Sequence, residues 1–468
     1  MGKNRVTHHD NAASIVACAP EEEVARGPRL GLRAQVLLVS TVCVAPLAAA
    51  VACGSDSVGD TDTAGSASAT DGTGSDTDAS ASVTDTDAAS VTDTDAGTGS
   101  GTDSGTDTDA GTETDAGTET GTDTGAPVDC SAATTNIEEV VCAAEAFLAG
   151  LSSDELSAAN LPFSDAVSRT KWSNLPGQER PGVQMGALST DSQARALTLM
   201  TAVLSSAGRS DLDGVRAADD YLGTMGGMGG MGGMGGQYAA GNYYVSVLGT
   251  PSTTGDFAVM FGGHHMAFNM TYIAGVGYPI PNHLGVEPKA EFTVDGEAYA
   301  PMTGEGAALL AVFAAFDSET LAAAFLAGQT FSDVLIGPVE YGTGSVDAAQ
   351  AKYPTGSNRA GVLVSTLSSE QQALVTAAIA EWVEDADPEV AAELMAAYTA
   401  EEAFADTYVA WAGTEDAGVD ADVNGTYMRI DGPRLWIELA CQNGVVIQGQ
   451  THYHSIYRDK QFDYGGSL

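Results

Sequence analysis

The sequence predicts an α+β fold: a single globular domain with a helical N-terminal part and antiparallel strands toward the C-terminus, preceded by a disordered tether. Three observations carry this. Apolar residues recur at helical spacing in several stretches between 137 and 411, whereas shorter stretches at 243–272 and 426–457 alternate or are rich in β-branched and aromatic residues. Helices and strands come in blocks, which favours α+β over repeated βαβ units. Near residue 127 the composition changes abruptly, from Ser, Thr, Asp, Gly and Ala to a chain with aromatic and bulky aliphatic side chains.

Within the domain, taken as residues 128–468, the first expected helix is Ile137 to Leu151, with Glu138 and Glu139 in the first turn where the helix dipole favours acids. Asp191 to Leu204 follows, capped near Ser189 or Thr190. Further helices are expected at Ala307 to Phe316, Glu319 to Leu326, Ser369 to Val383 and Pro388 to Trp411. Strands are expected at Tyr243 to Leu248, Phe257 to Phe261, His265 to Tyr272, Thr426 to Ile430, Leu435 to Leu439 and Gln450 to Tyr457, with Gly432-Pro433 as a turn. A Met/Gly-rich loop at 224–236 interrupts this pattern. Its thioethers suit a soft metal, but paired glycines cannot preorganise a site, so it is taken as a flexible surface loop.

The N-terminus places the domain. Residues 1–53 read as a signal segment: Arg26, Arg29 and Arg33 precede an uncharged run from Ala34 to Ala52. The run ends in Ala50-Val51-Ala52-Cys53, which resembles the lipobox of bacterial lipoproteins, with Ala50 where that motif usually has Leu. The resemblance implies acylation of Cys53, anchoring in a lipid membrane, and, with Gly54-Ser55 next, an outer-membrane or cell-surface location. The alternative is a plain transmembrane anchor, for which the run is near the lower length limit. Residues 54–127 form the tether. They carry 17 acidic residues and no Lys or Arg, and they have too little apolar surface to offset the entropy of ordering.

Export makes a disulfide possible, and Cys130 and Cys142 stand at loop-closing distance, leaving Cys441 as a buried free thiol. The chain has a formal charge of −45, of which the globular part keeps about −29. Nucleic acid and anionic headgroups are therefore poor partners, whereas cations are tolerated.

The chemistry points to histidines. The domain has five, four of them in two close pairs. On a strand, residues two apart share a face, so His452 and His454 can converge on one metal ion. Arg458 falls on the same face and is a candidate to hold a carboxylate or phosphate. His264 and His265 are adjacent, so on a regular strand only one would face the site, unless Gly262-Gly263 marks a bulge. Glu438, in an apolar strand, is a candidate metal ligand, hydrogen-bond partner of a ligating histidine, or general base. His283 is expected to be a surface or packing residue, and Arg180, Arg429 and Arg434 to form structural ion pairs. Asp459 and Asp463 are expected to cap or to pair with Arg458. No Gly-x-Ser-x-Gly elbow, Walker loop or His-Glu-x-x-His helix is present.

The segments Phe261–Asn269, Trp411–Gly413, Tyr427–Pro433 with Trp436–Glu438, and His452–Ser455 through Arg458-Asp459 to Asp463–Gly465 resemble the domain-of-unknown-function 3500 family. The resemblance covers about Trp172 to Gly465. It implies that the histidine pairs, Glu438 and Arg458 belong to the family's pattern, and it implies no established activity.

Two functions stay open. One is a surface-tethered enzyme using a divalent metal ion, zinc ahead of copper or iron, as a hydrolase or oxidoreductase acting on an unknown small molecule. The other is a non-catalytic envelope lipoprotein that binds a ligand or metal.

Overall fold

The computed structural model describes residues 129–226 and 235–468. The signal segment, Cys53, the tether and the central part of the Met/Gly-rich loop lie outside the described residues.

The chain is α+β as predicted. Its main helices are α1 (Asn136–Ala149), α2 (Thr190–Val203), α3 (Ser206–Gly226), α4 (Thr303–Ala314), α5 (Ser369–Val383) and α6 (Pro388–Tyr398). Its principal strands are β1 (Tyr244–Gly249), β2 (Phe257–Gly263), β3 (Met266–Ile273), β4 (Asn282–Val286), β5 (Tyr408–Ala412), β6 (Tyr427–Asp431), β7 (Leu435–Asn443) and β8 (Thr451–Asp459). They lie side by side in the order β1-β2-β3-β4-β8-β7-β6-β5, and every neighbouring pair is antiparallel. The β4–β8 pairing brings the central strands onto the C-terminal ones, and this single junction determines the site.

Both faces of the sheet are covered, for reasons visible in its alternation. Val245, Val247, Val259, Phe261 and Phe268 pack against Leu199 of α2, Val215 of α3, Val312 of α4 and Ile379 of α5. On the other face Met260, Ala267, Trp436 and Ile456 pack against Trp172, Ile336 and Tyr353, which come from irregular segments. Local signals set the helix starts. Ser189 caps α2, Ser368 forms a capping box with Gln371 at α5, and Pro388 stands at the first turn of α6 behind the Asp387 cap. Cys130 and Cys142 are joined by a disulfide, and Cys441 is a buried free thiol. Among the described residues no helix is long and apolar enough to cross a membrane.

Three expectations need correction. The helix expected from Pro388 to Trp411 stops at Tyr398; a short helix, Glu401–Phe404, intervenes, and Trp411 lies in β5. The run Thr407-Tyr408-Val409 there is β-branched and aromatic, and pairing with β6 overrides helical spacing. Helix α3 was not expected, because its four glycines weaken helix propensity, yet Leu212, Val215, Ala218 and Leu222 supply a buried stripe. Strand β4 was not expected either, since Pro281, Gly285 and Pro288 read as loop. The Gly432-Pro433 turn does join β6 to β7.

Candidate metal centre

His452 and His454 lie on β8 with their rings on one face, and the register puts Gln442 and Ala440 of β7 opposite them and Gly285 of β4 opposite His454. Their Nε2 atoms are 3.3 Å apart. Two imidazole nitrogens on one tetrahedral ion, each about 2.0–2.1 Å from it, stand about 3.3 Å apart. His265 completes the group: one nitrogen from each of His265, His452 and His454 lies within 4.8 Å of the others.

His265 reaches this position because it is not in a strand. His264 and His265 are the two residues of the tight β2–β3 turn, and His265 has φ 62°, a left-handed conformation that costs energy for a residue with a side chain. Its surroundings hold it there. The His265 amide donates to the Asn174 carbonyl at 3.0 Å, and its own carbonyl accepts from the Gly285 amide at 2.7 Å. Arg180 donates to the Gly263 carbonyl at 2.8 Å, and the Tyr243 hydroxyl to the His264 carbonyl at 2.8 Å. Gly285 supplies the space. A Cβ there would stand 3.1 Å from Cδ2 of His454 and 3.2 Å from Cδ2 of His265, so any side chain would wedge the two rings apart.

The three rings are 3%, 1% and 7% exposed for His265, His452 and His454. Burial, reinforced by the neighbouring imidazoles, holds His265 well below the usual histidine range and His452 down to about 3. Neutral rings with available lone pairs are the form that binds metal. Behind His454 lies Asp333, whose Oδ1 is 2.9 Å from Nδ1. Burial alone would raise the pKa of Asp333, but the hydrogen bond and charge of His454 bring it to about 2. A carboxylate on Nδ1 fixes the tautomer that leaves Nε2 free for a metal. The Gln442 amide also touches that Nδ1, at 3.0 Å.

Other expected residues have different roles. His264 stacks on His265, with ring centroids 3.7 Å apart, but stands outside the ligand group. Its Nδ1 is 2.6 Å from Oδ1 of the buried Asp219, and that bond turns the ring toward α3. Tyr238 packs edge-on against it. His283 is not at the surface. It is fully buried, with Nδ1 3.2 Å from the His265 carbonyl, its ring 5.3 Å from His454 and its Nε2 without a partner.

Glu438 cannot serve as a base here. Its carboxylate accepts from the Leu335 and Ile336 amides, Tyr427 Oη and Trp436 Nε1, and is fully buried. It ties the loop carrying Asp333 to the sheet, and burial raises its pKa despite those donors. Arg458 is not a substrate clamp either. It is fully buried, bonded to Glu340 and Asp463 at 2.6 Å each and to the Ile336 and Gly337 carbonyls. Asp459 caps locally, accepting from the Gln461 and Phe462 amides, and pairs with Arg434 rather than Arg458, whereas Asp463 pairs with Arg458 as expected. Arg180 binds carbonyls instead of an acid.

Sequence reasoning missed Asp333, Asp219 and Gly285. Only Gly285 left a signal, as a glycine close after a histidine in an extended stretch. A family model described as "Protein of unknown function (DUF3500)" matches residues 133–466, a span that includes every residue of this centre. No curated protein and no solved structure matches the chain.

Proposed function

We propose, for a chain that belongs to the DUF3500 family, that His265, His452 and His454 hold a divalent metal ion, zinc ahead of copper or iron, and that the domain uses it for hydrolysis. The observation that carries this is the 3.3 Å separation of two buried Nε2 atoms with a third imidazole within 4.8 Å. Zinc held by three histidines would supply a Lewis acid that can activate water near neutral pH. The chain's own residues do the rest. Asp333 orients His454, the pinned turn fixes His265, and His264, oriented by Asp219, is the adjacent ring placed to take up a proton.

The same reading extends to location. The Arg-led apolar run ending at Cys53 and the acidic tether support an exported lipoprotein on a membrane surface, and the Cys130–Cys142 disulfide fits an oxidising compartment. The burial of all three rings supports a second reading, a closed site that binds metal without catalysis.

Hydrolysis of 4-nitrophenyl acetate and bis(4-nitrophenyl) phosphate by zinc-loaded and chelator-stripped protein separates the two. The hydrolytic reading expects a rate at least about tenfold higher with zinc on one probe, rising with pH through a midpoint near pH 7 to a plateau above it. Equal rates with zinc firmly bound would leave the binding reading standing.

A further inference from the structure

A second cluster lies in the helical layer, and the histidines take no part in it. One carboxylate oxygen from each of Asp211, Glu305 and Asp385 lies within 4.8 Å of the others. The three come from separate places: Asp211 from α3, Glu305 from the first turn of α4, and Asp385 from just beyond α5. We propose that they form a binding site for a divalent cation of the oxygen-preferring class, Ca²⁺ in particular.

Contacts with the backbone hold the three segments together. The Met302 amide donates to Asp211 Oδ1 at 2.9 Å, and the Ser205 amide to the Asp385 carbonyl at 2.9 Å. Gly208 of α3 passes so close to the Asp385 backbone that no side chain fits there. Like charges held this way repel unless something positive stands among them. Among the described residues no Lys or Arg is ion-paired with any of the three.

The independent pointer to a ligand is Glu305. It is 2% exposed, and its Oε1 has no hydrogen-bond partner among the described residues. A buried carboxylate oxygen without a donor is costly, and a cation answers it. Glu381 brings a fourth carboxylate against Gly304, next to Glu305. Asp211 and Asp385, together with His283 but not Glu305, also line a cavity of about 30 Å³. Burial and the neighbouring acids push Asp211 up to about 6 and Glu305 and Asp385 well above the carboxylate range. The rival arrangement is therefore three carboxyls that share protons. Calcium takes six to eight oxygens, so three carboxylates with water suit it, whereas imidazole sites do not.

The test is thermal melting and calorimetric titration of the EDTA-treated, dialysed full-length chain with CaCl₂, beside Glu305→Gln, Asp211→Asn and the His452→Ala/His454→Ala double variant. The expected result is a calcium-dependent rise in Tm for the wild type and the histidine variant, with affinity at least about tenfold weaker in both carboxylate variants. In EDTA, Glu305→Gln should melt no lower than the wild type, because a neutral amide replaces a buried acid that is costly to ionise. No response of the wild type up to about 10 mM calcium, or an equal response in all four proteins, would overturn the site.

Discussion

Replacing His452 and His454 together by alanine is expected to abolish tight zinc binding while the chain stays folded. Losing an outer-shell partner of a metal ligand costs about 10–100-fold in affinity; losing two of three ligands should exceed that range. Asp333→Asn should fall within it, because Asp333 acts only through His454 Nδ1, at 2.9 Å. Competition with a chromophoric chelator measures both. The same loss appears in stability. At free zinc about 1,000 times its Kd, binding adds about 4.1 kcal/mol to the wild type, and the double variant should show none of it. Equal zinc affinity in the double variant and the wild type would remove the histidine centre from the account.

Arg458→Met is expected to be the most destabilising single substitution discussed here, and to act without touching the metal. The guanidinium has no exposure and bonds Glu340, Asp463 and two carbonyls. Methionine would leave two buried carboxylates without their cation, and breaking a buried pair from one side costs about 3–5 kcal/mol. Glu340→Gln and Asp463→Asn added to Arg458→Met should recover part of the loss, since they remove the stranded charges. Urea denaturation measures both. A loss below about 1 kcal/mol would mean that the network is hydrated rather than buried, whereas lost zinc affinity with intact stability would restore Arg458 to the site.

Arg458 and Glu438 show where the sequence was legible and where it was not. The two-residue period of a strand placed Arg458 on the face of His452 and His454, and the register puts Glu438 of the next strand on that face as well. Face, however, does not decide role. The groups that occupy them, the Leu335 and Ile336 amides and Glu340, belong to a loop with no periodic signal, so nothing in the pattern showed that both side chains were already satisfied. The His452/His454 pair needed only strand geometry and was readable. The contribution of His265 depended on a left-handed turn, a contact from Asn174 and the missing side chain of Gly285 in a strand that read as loop. His264 and His265, equivalent as neighbours in sequence, separate because Asp219 on α3 draws one of them away. That helix was itself obscured by its glycines. The strand blocks near 257–272 and 426–457 were clear because each has the aromatic and β-branched residues that a sheet covered on both faces requires.

Three imidazoles are expected to share one ion. The most direct measurement is elemental analysis with X-ray absorption spectroscopy at the metal edge, on the full-length chain purified without a His-tag or chelator. The account predicts close to one equivalent of zinc or another imidazole-preferring metal per chain, with about three nitrogen neighbours at about 2.0–2.1 Å. A protein that neither carries such a metal nor takes it up on reconstitution, or one whose metal shows only oxygen neighbours, would contradict it.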